Sequence, residues 1–151
     1  MLEIQNILIK TILWLLAIVF IVFYPMFISI YVFLPLMVGV MGYIFIQGIE
    51  RNKLDYIIVA GIYLINLDLN LSLPIFLSIV ASMIVYVMID KSFLAKTKCK
   101  LCKALISVVL IDFVYLGVLL GYDFVFQTQS IVLDELLVYS LIVDMIVAVI
   151  L

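Results

Sequence analysis

Three groups of residues in this chain have the types and spacing to do chemistry. The first is Cys99 and Cys102, which form a C-x-x-C within KCKLCK. Flanking lysines favour the thiolate, the reactive form of cysteine. A zinc site takes about four ligands, and the chain has no other cysteine and no histidine. A reducing cytoplasm disfavours a structural disulfide. The pair therefore reads as two free thiols in a basic loop. Redox chemistry or metal binding between molecules are the alternatives.

The second group is Asp112 and Asp144, each inside a long apolar run, LISVVLIDFVYLGVLLG and LLVYSLIVDMIVAVIL. An acid at the centre of a membrane helix costs roughly 2.5–3.5 kcal/mol on insertion scales. Such residues face protein or a cavity and mark a site by default. Asp112 lies about 12 Å from the start of its run and Asp144 about 10 Å from the end of its own. Antiparallel helices would bring them to one level. No basic residue is available at that depth, so at least one carboxyl is expected to be neutral, through desolvation and like-charge proximity. Three roles suit the pair: polar contacts between helices, contacts to a partner, or ion coupling. Backbone groups, Tyr115, Ser140 and a partner's helix are the candidate contacts.

The third group is the polar set Asn66, Asp68 and Asn70 in NLDLNLSLP. Strict alternation from Leu67 to Leu73 suits an extended segment, polar on one side and leucine on the other. A substrate lid, a docking edge and a turn capped by Ser72 and Pro74 are the readings, the turn being the simplest.

The elements that hold these residues must be membrane helices. Of 151 residues, 70% are hydrophobic and 12% charged, and the mean hydropathy is +1.49. Soluble domains carry about 25% charged residues. With a net charge of −2, nucleic-acid binding is excluded. The absent histidine removes the commonest general base and metal ligand. No enzyme constellation and no cofactor are expected.

Prolines and charges divide the chain into six spans, at about 7–23, 27–47, 54–67, 74–89, 104–122 and 131–151. The expected fold is all-α: one transmembrane domain, a bundle of six transmembrane helices with short loops. Pro35 is expected to kink the second span. With six spans, Arg51, Lys53, Lys91, Lys96, Lys98, Lys100 and Lys103 share one side, and Lys10 can snorkel to it. The opposite side holds Asp68 and Asp123 and no basic residue. The positive-inside rule then puts both termini in the cytoplasm. A charge-poor start without a small-x-small site argues for an uncleaved first span. The 90–103 loop, with Lys91, Lys96, Lys98, Lys100 and Lys103, either fixes orientation or binds anionic headgroups or an acidic partner. Gly117 and Gly121 form a G-x-x-x-G, suited to close helix packing within the bundle or with a partner. Gly39 and Gly42 suit close packing in the second span. The aromatic residues form no evident stacking platform.

The order of these features resembles the rod-shape-determining MreD family of bacterial inner-membrane proteins. The likeness covers about residues 31–126. YVFLPLMVGVMGYIFIQG is similar to that family's second span, VAGIYLINLDLNLSLPIFLSIVASMIVYVMI to its central hairpin, and ALISVVLIDFVYLGVLLGYDFVF to its fifth span with a central aspartate. Gly61 and Asp112 carry across; Ile65 stands where the family usually has an acid. The resemblance implies a non-enzymatic, multi-pass component of the cell-shape and peptidoglycan-elongation machinery (the elongasome). Its partners would be an MreC-like scaffold and the elongation synthase complex. The family also looks distantly like substrate-binding subunits of vitamin transporters. That supplies the rival expectation, a small-molecule or ion-coupled carrier with an outer pocket lined by Asn66, Asp68, Asn70 and Gln127.

Overall fold

The computed structural model describes residues 2–31, 33–91, 99–127 and 135–150. Among them are six α-helices and no strand: α1 (Leu2–Ile30), α2 (Val38–Glu50), α3 (Leu54–Asn70), α4 (Leu77–Lys91), α5 (Lys100–Phe126) and α6 (Glu135–Ile150). Two of them, over Ile7–Ile30 and Leu101–Phe126, are long and apolar enough to cross a membrane. The others are shorter. At 1.5 Å per residue, α2 extends only about 20 Å.

The helices carry apolar side chains on their outer faces as well as in the core. Buried residues recur at helical spacing: Leu77, Ser78, Ala81, Ser82, Val85 and Ile89 on α4, and Leu137, Ser140, Asp144 and Ala148 on α6. On α5 the inner face runs Ala104, Ser107, Val108, Ile111, Asp112, Tyr115, Leu119. The opposite faces expose Ile, Leu, Val and Phe, and α1 is apolar on nearly its whole circumference. A soluble domain buries such residues and exposes polar ones. Here the buried set contains three aspartates, and the exposed faces of α1 and α5 carry many large aliphatic and aromatic side chains.

α2 is central, packed on α3, α4, α5 and α6, while α1 lies against α3. Small residues permit the central contacts. A Cβ on Gly42 would stand 2.7 Å from Ser82 Oγ of α4, and one on Gly48 would stand 2.7 Å from Ile57 Cγ1 of α3. The ion pair of Glu50 with Lys103, at 2.9 Å, joins the end of α2 to the start of α5.

Several boundaries differ from the sequence expectation. α1 does not end at Tyr24-Pro25 but continues through Pro25 to Ile30. The expected second span is not one kinked helix. Its first part belongs to α1, the described residues from 33 to 37 are non-helical, and Pro35 lies in that break. Asn66, Asp68 and Asn70 are not extended; they form the last turns of α3, and the turn follows at 71–76. The alternating leucines misled because Leu64, Leu67, Asp68 and Leu71 also satisfy helical spacing.

α2 and α3 end alike. Asn52 and Ser72 take left-handed φ values of 52° and 56°. The next residue then donates back five positions, Lys53 N–H to Gly48 O at 3.0 Å and Leu73 N–H to Asp68 O at 2.9 Å. This is the Schellman closure of a helix C-terminus.

Candidate functional site: buried polar groups at the break before α2

Short helices and a break create a specific problem. Backbone N–H and C=O groups in an apolar interior cost several kcal/mol each when unpaired, on the order of 2–7. Every helix also begins with N–H groups that lack an intrahelical acceptor. Irregular backbone at membrane depth is tolerated only where protein satisfies it.

The buried polar side chains answer this need at the 33–37 break. Tyr24 of α1 donates its hydroxyl to Pro35 O at 2.9 Å, and Tyr63 of α3 donates to Leu36 O at 2.9 Å. Leu36 N–H donates to Ser140 Oγ of α6 at 3.0 Å. The break thus receives partners from three helices. The two tyrosines stack with Phe20, at ring separations of 4.5 Å for Phe20–Tyr24 and 6.3 Å for Tyr24–Tyr63. This aromatic group corrects the expectation of scattered rings.

Two short helices follow a non-glycine residue held at positive φ. α2 follows Met37, held at φ 53° with no side-chain cap, and α4 follows Phe76 at φ 73°. In each case a carboxylate from another helix supplies the acceptor. Gly39 N–H donates to Asp144 Oδ2 at 2.8 Å, and Ser78 N–H donates to Asp68 Oδ2 at 3.1 Å. Ser78 Oγ adds a second bond to Asp68 Oδ2 at 2.8 Å. A negative group at a helix N-terminus also meets the positive end of its dipole.

Asp112 completes the first of these sites. Its carboxyl lies where a Cβ on Gly39 would sit, 2.7 Å from Oδ2 and 2.8 Å from Oδ1. Asp112 of α5 and Asp144 of α6 thus meet α2 at the same glycine. Both are buried, with 6% and 0% of their surface exposed. Asp112 Oδ2, Asp144 Oδ1, Asp68 Oδ1 and the Tyr115 hydroxyl have no hydrogen-bond partner among the described residues.

The proline in α1 is handled in the same way. Pro25 has no N–H for the carbonyl of Ile21, four residues before it. Asn66 Nδ2 donates to Ile21 O at 3.3 Å and to Val22 O at 3.0 Å. Asn70 Nδ2 in turn donates to Asn66 Oδ1 at 2.8 Å. Asn66, Asp68 and Asn70 therefore point into helix contacts and do not line an outer pocket together. Gln127 lies exposed after α5 at φ 52°.

The remaining expected residues divide. Gly117 and Gly121 are exposed, and a Cβ on either would meet nothing within 4 Å. They do not serve packing among the described helices. Cys99 and Cys102 are free and exposed. Cys99 Sγ accepts the N–H of Cys102 at 3.3 Å and so caps α5. Hydrogen bonds from the Cys102 side chain and then its backbone hold the Cys99 thiol below its ordinary range. Lys103 pairs with Glu50; Lys96 and Lys98 lie outside the described residues, as do the side chains of Lys91 and Lys100. Among the described residues no cluster of three or more acidic, cysteine or histidine side chains could hold a metal. Sequence reasoning paired the two acids by depth but missed Gly39 as their cradle, and Tyr24 and Tyr63. Only Pro35, inside an apolar run, signalled a break that needs partners.

No family model, curated protein or solved structure matches the chain.

Proposed function

We propose that the chain is a non-enzymatic, multi-pass protein of the bacterial inner membrane that acts by helix-mediated assembly. It would cross six times, with the start of α1 and the end of α6 on the cytoplasmic side. The shorter helices reach across with the help of the flanking 33–37 and 71–76 segments. Support comes from the basic residues: Lys10, Arg51, Lys53 and Lys103 belong to one end of this arrangement, as the Glu50–Lys103 pair and the packing of α1 on α3 require.

One observation carries the assembly role. Tyr24, Tyr63, Asn66, Asp68, Ser140 and Asp144 bond backbone groups inside the protein, whereas Gly117 and Gly121 stand on an open apolar face of α5. That face runs Phe113, Gly117, Leu120, Gly121 and Phe124, all exposed. Small residues between large apolar ones are suited to close approach of a second helix in lipid. The MreD resemblance over residues 31–126 gives this surface its setting: the cell-shape and peptidoglycan-elongation machinery, with an MreC-like scaffold and the elongation synthase complex as partners. A vitamin-type carrier would need free polar groups near Asn66, Asp68 and Asn70, whose side chains bond Val22 O, Ser78 and Asn66 Oδ1 and leave Asp68 Oδ1 without a partner among the described residues.

The test is depletion combined with purification. Depletion is expected to round rod-shaped cells, and the tagged protein is expected to bring down an envelope partner after cross-linking in the membrane. Unchanged cell shape, together with saturable binding of a vitamin-sized ligand by the purified protein, defeats the proposal in favour of the carrier.

A further inference from the structure

A groove of about 770 Å³ opens between α1 and the α2–α3 turn, far from the buried acids. Its ionisable lining groups are Lys10, Lys53 and Asp55, so its charge is net positive. Among the described residues the one ion pair is Glu50–Lys103, which leaves both groove lysines without an acidic partner. Trp14 and Tyr56 flank the opening, and Lys53 Nζ lies 5.3 Å from the Tyr56 ring centroid. Further along the two helices the lining becomes apolar at Ala17 and Val59.

This gradient is specific. Cations lie at one end, amphipathic aromatic rings between, and small or aliphatic side chains at the other. Trp and Tyr sit at the headgroup level of a bilayer. Lysines there attract anionic headgroups, and their alkyl stems lie along apolar surface. The volume is of the size of a small-molecule site. It accommodates a headgroup with its glycerol and the first carbons of a chain, the remainder running into the bilayer beside α1.

We infer that this groove is a binding site for one anionic glycerophospholipid, its phosphate between Lys10 and Lys53 and its acyl chains along Ala17 and Val59. The inference rests on the bilayer placement proposed above and is independent of the assembly role.

Trp14 is the only tryptophan in the chain and lines the groove, so its fluorescence reports on the site directly. The full chain is reconstituted in phosphatidylcholine bilayers containing either phosphatidylglycerol or phosphatidylcholine brominated on its acyl chains, at equal mole fraction. The brominated anionic lipid is expected to quench Trp14 at about a 25-fold lower mole fraction than the zwitterionic one, about fivefold for each lysine. The preference is expected to fall about fivefold for each of K10Q and K53Q, and to vanish in the double variant. Quenching by brominated phosphatidylcholine shows in each variant that Trp14 is still in the bilayer. Equal quenching by both lipids in the native chain overturns the site. So does a K103Q loss as large as that of K10Q, which would mean diffuse surface charge. Loss of the preference on adding millimolar inorganic phosphate at constant ionic strength would show a site for free phosphate and overturn the lipid. Failure of the shape phenotype would leave all these readings intact, so the two proposals fail separately.

Discussion

The N–H of Gly39 donates to the carboxylate of Asp144 at 2.8 Å, and the same glycine leaves the space that the Asp112 carboxyl fills. One residue without a side chain thus joins three helices. α2 begins there because an acceptor from α6 replaces the cap that Met37 does not provide. The place where the buried acids of α5 and α6 meet is therefore also the place where α2 begins.

Replacing Gly39 with alanine tests that junction. The added Cβ would stand 2.7 Å from Asp112 Oδ2 and 2.8 Å from Val108 Cγ1. α2 must then move off α5, at a cost of about 1–3 kcal/mol. A clear fall in thermal midpoint in detergent is expected, larger than for alanine at Gly61, whose Cβ meets nothing closer than 3.8 Å. Equal midpoints for the two variants would mean that Gly39 is not a close contact.

Asp144→Asn and Asp144→Leu separate hydrogen bonding from charge. Asparagine keeps an oxygen for Gly39 N–H and offers Asp112 a donor. Leucine leaves the buried N–H of Gly39, which donates to Asp144 Oδ2, without that acceptor. That costs about 1–3 kcal/mol. Asparagine is therefore expected to retain membrane abundance and activity where leucine loses them. If asparagine fails as badly as leucine in a functional assay while folding normally, the carboxyl's proton matters and ion coupling gains ground.

Pro25 and Asn66 make a pairwise prediction. Asn66→Leu removes the donor from Ile21 O and Val22 O, while Pro25 still withholds its own. With Pro25→Ala the helix N–H returns and Asn66 becomes less necessary. A double-mutant cycle on thermal stability is expected to give a coupling of about 1 kcal/mol. Additive effects would show that Asn66 does not act on the proline's carbonyl.

The extent of what residue types reveal follows from these cases. All-helical structure, the apolar exterior and the common level of Asp112 and Asp144 are set by composition and helical rise, which are local. The break at 33–37 was not legible, because 27–47 is apolar throughout and a proline inside it can mean either a kink or a stop. Nor was the use of Asn66. Its partners, Ile21 O and Val22 O, are backbone atoms, and backbone atoms leave no signature in side-chain type. The Asn-Leu alternation fitted both a strand and a helix end, and only the positive φ of Ser72 decides between them.

Cys99 and Cys102 report on sidedness. An impermeant maleimide is expected to label them in inverted vesicles and not in intact cells, since both are exposed at the basic end. At neutral pH Cys99 is expected to react faster, because the hydrogen bonds from Cys102 lower its pKa and enlarge its thiolate fraction. The Cys102→Ala variant removes the side-chain donor, so Cys99 labelling should slow. The Cys99→Ser, Cys102→Ser variant is expected to keep fold and function. Labelling of intact cells would overturn the six-span arrangement.

The open face of α5 carries the functional prediction. Gly117 and Gly121 lie one turn apart, between Phe113 at 60% and Phe124 at 87% exposure. A leucine at either position would project outward, where a Cβ meets nothing within 4 Å. Gly117→Leu with Gly121→Leu is therefore expected to leave insertion intact and the thermal midpoint unlowered, since glycine costs about 1 kcal/mol in a helix relative to alanine. What the leucines do alter is the distance of approach of a second helix. Without a hydrophobic driving force between helices in lipid, association depends on van der Waals contact and a few polar bonds, and a few ångströms of separation remove most of it. In-membrane cross-linking from Leu120→Cys to an envelope partner, or to a second copy, is expected to fall severalfold in the double variant. The rod-shape phenotype should weaken with it. Cross-linking that survives both leucines, in a protein that remains folded, would show that α5 does not present the assembly surface.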